Sequence, residues 1–108
     1  MTPYSAIRVS PSGAFYVSGQ LPSDFDAAPG EQAASCFQAI EKVLSERGID
    51  RSKILKTTLL TTDLSALSDI NEAYLAYFEG LEMPARSAFE VTALARGARV
   101  EIDAYGEL

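Results

Sequence analysis

With 108 residues, 47% of them apolar, the chain is long enough to bury one core, too short for two, and too apolar to stay disordered. Its net charge of −6 disfavours nonspecific binding to DNA or RNA, which draws its affinity from neutralised phosphates. Histidine is absent and Cys36 is the lone cysteine, which argues against Ser-His-Asp and Cys-His triads, a redox disulfide and the usual zinc sites.

In chain order, residues 1 to 6 read as a loose entry marked by Pro3 and Tyr4. A short apolar piece from Ile7 to Val9 meets the turn composition Ser10-Pro11-Ser12-Gly13. Ala14 to Ser18 is the expected return strand, with Phe15 and Val17 on one face and Tyr16 and Ser18 on the other. Gly19 to Pro22 ends it, and residues 23 to 30 form a loop of small, acidic and proline residues.

The first helix is predicted from Glu31 to Arg47, because Ala33, Phe37, Ile40, Val43 and Leu44 recur on one stripe. Glu31 and Arg47 sit at the ends that the helix dipole favours, and Gly48 suits the position just past the helix. Cys36, beside the stripe, reads as a buried small hydrophobe. Ile54 to Thr62 is the clearest strand, apolar and rich in threonine. Asp63 or Ser65 can cap a second helix from Ala66 to Phe78, whose inner face carries Leu67, Ile70, Tyr74, Tyr77 and Phe78, with Asn71 at its edge.

Pro84 to Ala104 then reads as a hairpin. Residues 87 to 94 make one strand, and Ala95-Arg96-Gly97-Ala98 a turn in which Gly97 can take positive φ. Val100, Ile102 and Ala104 alternate with Arg99, Glu101, Asp103 and Tyr105, the period of a strand with unlike faces. The expectation is a two-layer α+β domain over residues 1–108, in the order β-β-α-β-α-β-β, with both helices on one sheet face. Thr58, Leu60, Ala88 and Thr92 are assigned to the other face, whose small, mildly apolar character leans toward assembly. Nothing in the chain reads as a leader, and no run of about 18 apolar residues occurs, so a cytoplasmic location is expected.

Two residues of that last segment carry possible chemistry. Arg86, at a strand entrance, is either a surface ion-pair partner or a fork for a substrate carboxylate. Glu101 is either a solvated strand carboxylate or, in a dry cleft, a group whose pKa rises enough to manage a proton. On adjacent hairpin strands the two would line one pocket. Ser18-Gly19-Gln20 is a strand-end turn or a cleft lip; Tyr4 and Tyr105 are packing residues or pocket walls; Asn71 reaches a ligand or a local backbone group. No metal-ligand spacing and no glycine-rich phosphate cradle is present.

Pro3-Tyr4, Tyr16-Val17-Ser18-Gly19-Gln20, Lys56-Thr57-Thr58 with Asp63-Leu64, Asn71 with Tyr74, Pro84-Ala85-Arg86-Ser87 and Val100-Glu101-Ile102-Asp103-Ala104 together resemble the RidA (YjgF/YER057c/UK114) family, small proteins best known as enamine/imine deaminases. The resemblance implies a chorismate-mutase-like fold and a homotrimer with ligand clefts between subunits. It implies hydrolysis of 2-iminopropanoate or 2-iminobutanoate to the 2-oxo acid and ammonia without a cofactor or metal. Arg86 would bind the carboxylate and Glu101 position or activate water, with Tyr4, Ser18, Gly19 and Asn71 shaping the cleft. One position departs from the pattern: where deaminase members commonly carry cysteine two residues after the arginine, this chain has Ala88. A non-catalytic binder of small carboxylates or metabolites on the same fold is therefore the alternative expectation. Relatives have also been described as translation inhibitors or ribonucleases, but the acidity and the lack of a basic, aromatic stripe argue against a nucleic-acid partner.

Overall fold

A computed structural model describes residues 1–108. Its strands are β1 (Ile7–Val9), β2 (Ala14–Gln20), β3 (Ile54–Thr61), β4 (Ala85–Glu90) and β5 (Val100–Glu107), and its helices α1 (Pro29–Ser45) and α2 (Leu67–Tyr77). The order along the chain is β-β-α-β-α-β-β, as expected. Helix α1 starts two residues earlier than predicted because Pro29 occupies its first turn, where a missing N–H leaves nothing unpaired. Asp63 caps a short turn, Leu64–Ala66, by accepting from the Ser65 N–H at 2.9 Å; α2 begins only after that turn and has no side-chain cap of its own.

The strands lie in the order β1-β2-β5-β3-β4. The expected hairpin of β4 and β5 is therefore wrong: β3 lies between them, antiparallel to β5 and parallel to β4. The β3–α2–β4 segment is a crossover unit, which parallel neighbours require. The chain then passes over the end of β3, tied there by Val91 N–H to Thr61 O (2.8 Å) and Thr62 N–H to Arg99 O (3.1 Å). The turn itself is where it was expected. Ala95–Gly97 forms one 3₁₀ turn with Arg96 at φ 61 and Gly97 at φ 78, and the Arg96 guanidinium rests 4.8 Å over the Phe25 ring.

Both helices cover one face of the sheet. Phe15 and Val17 from β2, Leu59 from β3, and Val100, Ile102 and Ala104 from β5 meet Phe37, Ile40 and Leu44 of α1 and Ile70 and Tyr74 of α2, with Phe78 just beyond. The Phe37 ring is packed edge-on to Tyr74 and stacked on Tyr77, each at 4.7 Å, so Phe37→Ala would cost about 3–5 kcal/mol. Gln32 is a buried polar residue in this core with every partner present. Its Nε2 donates to Phe25 O and Ala27 O (3.1 Å each), and its Oε1 accepts from Arg99 N–H (2.8 Å). One side chain thus pins the loop before α1 to the entrance of β5.

The opposite face of the sheet carries no helix. Tyr16, Thr58, Leu60, Phe89, Glu101, Asp103 and Tyr105 project from it, with Tyr16 and Phe89 more than half exposed. Two residues expected there lie elsewhere. Ala88, flanked by Ser87 and Phe89 and paired with buried Leu59, points to the helix side and packs on the core. Thr92 falls past the end of β4. Neither helix is long and apolar enough to cross a membrane.

Candidate functional site

The expected site residues fall into two groups on two sides of the sheet. The first group is built on α2 and β4. Asn71, Tyr74 and Leu75, at helical spacings of three and four, turn to the same side of α2 and meet Met83, Pro84 and Arg86 around a concavity of about 370 Å³. Arg86 Nη1 donates to Asn71 Oδ1 at 2.7 Å, and its guanidinium carbon lies 4.8 Å from the centroid of the Tyr74 ring. Tyr74 is itself fixed, its hydroxyl paired with Thr57 Oγ1 at 3.0 Å inside the core. A guanidinium has five N–H donors, and Asn71 takes one of them; its companions are an amide and a ring face, neither of them charged. The arrangement is a cation held in a fixed orientation by an amide and a ring face, with donors left that are able to pair with an anion.

The second group lies on the bare face. The β2–β5 register shifts between Val17 and Gln20, so that Ser18 and Gly19 together oppose the single residue Asp103. Ser18 is tied to the entry segment through its N–H to Ala6 O (2.9 Å) and its Oγ to Ser5 O (2.7 Å). The bulge brings Gly19 against Glu101 so closely that a Cβ on Gly19 would collide with the Glu101 carboxylate. Tyr4, Ser18, Gly19, Asp103 and Tyr105 share a second concavity of about 390 Å³. Within it Asp103 is fully engaged: Oδ1 accepts from Thr58 N–H and Oδ2 from the Tyr105 hydroxyl, each at 2.7 Å.

Burial raises the Glu101 pKa above the usual carboxylate value, and the nearby Asp103 charge adds to the rise. A carboxyl so placed can hold and release a proton closer to neutrality than a solvated one. Cys36 has no such role. Burial first, and the Glu101 charge second, push its thiol up to about 12, and its Sγ sits 3.6 Å from Val100 O within the core.

One protomer does not bring the two groups together. Arg86 leans on α2, whereas Glu101, between buried Val100 and Ile102, points to the other side. Ala88 lines neither concavity. Residues not singled out by sequence reasoning are Leu75 and Met83, which wall the Arg86 concavity, and Asp103, which lies opposite the bulge and ties β5 to β3 through Thr58 N–H. The spacing Asn71-Tyr74-Leu75 was the available signal for the first of these. A larger groove of about 600 Å³ between α1 and α2 contains none of the expected residues, and its Tyr77 hydroxyl is committed to Glu41 at 2.7 Å. No group of three His, Cys, Asp or Glu side chains is placed to hold a metal ion.

A five-stranded mixed sheet with two helices on one face and a bare opposite face places the chain among the Rid proteins. The crystal structure of YyfA from Yersinia pestis, of the conserved Rid protein family, matches it with a TM-score of 0.93 at 35% identity, covering 100% of this chain and 90% of that one. TdcF from E. coli, solved with bound serine, matches with a TM-score of 0.91 at 26% identity, over 100% and 90% of the two chains. Residues 1–108 match the family described as Endoribonuclease L-PSP, and the chain belongs to this family, that of RidA and YjgF. Among its relatives, the RutC family protein y4sK of Sinorhizobium fredii is 44% identical over 94% of this chain and 84% of its own. The 2-iminobutanoate/2-iminopropanoate deaminase of Mus musculus is 39% identical over 94% of this chain and 78% of its own.

Proposed function

We propose that this protein hydrolyses 2-imino and 2-enamino acids to 2-oxo acids and ammonia, at sites shared between copies of the chain. The observation that carries the reading is Arg86, a cation held by Asn71 and the Tyr74 ring with donors left over toward a cavity. Relatives named as 2-iminobutanoate/2-iminopropanoate deaminases, at 37–39% identity, supply the substrate class.

The chemistry needs little machinery. A protonated imine carbon is already electrophilic, so the reaction asks for an oriented substrate, a water and a place for the water's proton. Arg86 pairs with the carboxylate through parallel hydrogen bonds and fixes C2. Glu101 takes a proton as water adds to C2, giving the carbinolamine. Returning that proton to nitrogen makes ammonia the leaving group. The C–N bond breaks as Glu101 withdraws the hydroxyl proton, and that proton leaves with ammonia as ammonium, giving the 2-oxo acid. Tyr4, Ser18, Gly19 and Asn71 shape the cleft.

Because Arg86 and Glu101 face opposite ways in one copy, the reading requires a second copy to supply the missing half. A homotrimer with three equivalent clefts meets that requirement, with the bare sheet face and its exposed Tyr16 and Phe89 inside the assembly. The lack of a nucleic-acid partner in this reading fits the net charge of −6.

The test is ammonia and keto-acid release from freshly generated 2-iminopropanoate. Wild type should exceed the uncatalysed rate and Arg86→Ala should fall at least a hundredfold in kcat/KM. Equal rates for wild type, variant and buffer would remove the enzyme reading. The second reading, a non-catalytic carboxylate binder, is favoured by Ala88, a methyl packed on the core where a thiol is common in deaminase relatives. It predicts calorimetric binding of pyruvate or 2-oxobutanoate with no turnover.

A further inference from the structure

We infer that the imino acid taken best at this site has an apolar substituent longer than methyl, and that Leu75 and Met83 select it. The inference rests on the reading of Arg86 as the carboxylate grip and goes beyond it to the part of the substrate that the grip does not touch. Apart from Arg86 and Asn71, the lining of the cavity is Tyr74, Leu75, Met83 and Pro84. Tyr74 offers chiefly its ring to Arg86, its hydroxyl being paired with Thr57. Leu75 is 63% exposed and Met83 43% exposed. Two large apolar side chains therefore stand in water beside a cation, contributing little to the core beneath them.

With the carboxylate on Arg86, the C2 substituent has these walls to cover. A methyl group reaches little of a 370 Å³ cavity, whereas a branched or thioether chain covers both walls, and methionine adapts its shape to different occupants. Each added methylene removed from water is worth about fourfold in affinity. Within one copy no second cation lines the cavity, and the Glu101 that a second copy brings is itself acidic, so an acidic substituent would lose hydration without gaining a partner. The reaction is unchanged: R–C(=NH₂⁺)–COO⁻ and water give R–CO–COO⁻ and NH₄⁺, and only R varies.

The test uses imino acids generated in situ by an L-amino-acid oxidase, with catalase to remove peroxide, from alanine, leucine, methionine and glutamate. The expected result is kcat/KM for the leucine- and methionine-derived imines at least tenfold above the alanine-derived one, with the glutamate-derived imine lowest. The double variant Leu75→Ser, Met83→Ser should collapse the leucine-to-alanine ratio to about one. Both positions are exposed, so folding is not at stake, and a circular-dichroism melt checks it. A flat or reversed profile in an active protein overturns this inference and leaves the deaminase reading standing. If no imine is turned over, the deaminase reading fails. The inference is then decided by calorimetry with 4-methyl-2-oxopentanoate against pyruvate: tighter binding of the longer acid supports it, equal or weaker binding overturns it.

Discussion

Arg86 and Glu101 project from opposite faces of the sheet, from strands separated by β3, where they sit opposite Thr57 and Leu60. That is about 10 Å apart along the strand, in addition to the thickness of the sheet. No rotamer lets both touch one small acid. If they act together, each comes from a different copy, which makes a mixing experiment decisive. Arg86→Ala and Glu101→Gln should each be inactive alone. Refolded together at equal amounts, they should recover about a quarter of wild-type activity, since three-quarters of random trimers are mixed and each mixed trimer has one intact cleft. Complete absence of recovery, with mixed trimers verified by native mass spectrometry, would rule out the shared site.

As the base proposed above, Glu101 should tie activity and stability to pH in opposite senses. As a base it must be ionised, so kcat/KM should rise with pH through a midpoint above the ordinary 4.5, and this limb should be lost in Glu101→Gln. Its raised pKa means that the folded state holds the proton more tightly than the unfolded one. The stabilisation is present below the unfolded pKa and disappears as pH rises through the folded pKa. Glu101→Gln should therefore gain melting temperature relative to wild type on going from pH 4 to pH 7, as a difference between two thermal scans.

Gly19→Ala tests the close approach in the β2 bulge. Its Cβ would strike the Glu101 carboxylate, so the carboxylate must swing away. Turnover should drop tenfold or more with a small change in stability. A variant with wild-type kcat and an unchanged pH profile would show that the position of Glu101 is immaterial.

The Tyr74 platform separates into two parts. Tyr74→Phe keeps the ring under Arg86 and orphans the Thr57 hydroxyl, so it should cost about 1–3 kcal/mol in stability with KM little altered. Tyr74→Leu removes the ring as well. Losing a cation–π contact of about 1 kcal/mol should raise KM roughly fivefold, measured on the folded fraction.

Gln32→Ala removes both anchors of the loop before α1 and leaves Arg99 N–H unpaired. Denaturant unfolding should show a loss of about 2–4 kcal/mol, with kcat unchanged because Gln32 touches neither concavity.

Periodicity and local composition were sufficient to find every strand and both helices, because Phe37, Ile40 and Leu44, or Val100, Ile102 and Ala104, advertise a buried face within a few residues of one another, although the strand expected over residues 87 to 94 runs from Ala85 to Glu90. It was insufficient for the strand order. Whether β5 pairs with β4 or inserts between β2 and β3 depends on contacts across most of the chain, and the nine residues from Val91 to Arg99 permit either. That one error moved Arg86 and Glu101 into a single pocket; the side taken by Ala88 was a separate error of register, settled by its pairing with buried Leu59. The site residues themselves were legible as chemistry, a cation at a strand entrance and a carboxylate in an alternating strand, but their separation was not. Gln32 gave no signal at all, since a glutamine in a helix reads as a solvated residue until the loop just before it and Arg99, sixty-seven residues on, are both brought to it.

The single thiol gives the molecule a clock. Sealed under the sheet and pushed up to about 12 by burial and by Glu101, Cys36 cannot meet an alkylating reagent until α1 parts from β5. Its labelling rate in native buffer therefore reports that opening: the open population at low reagent, and the opening frequency once alkylation outpaces reclosing. Dilution that separates the copies should quicken the labelling if assembly holds the sheet shut.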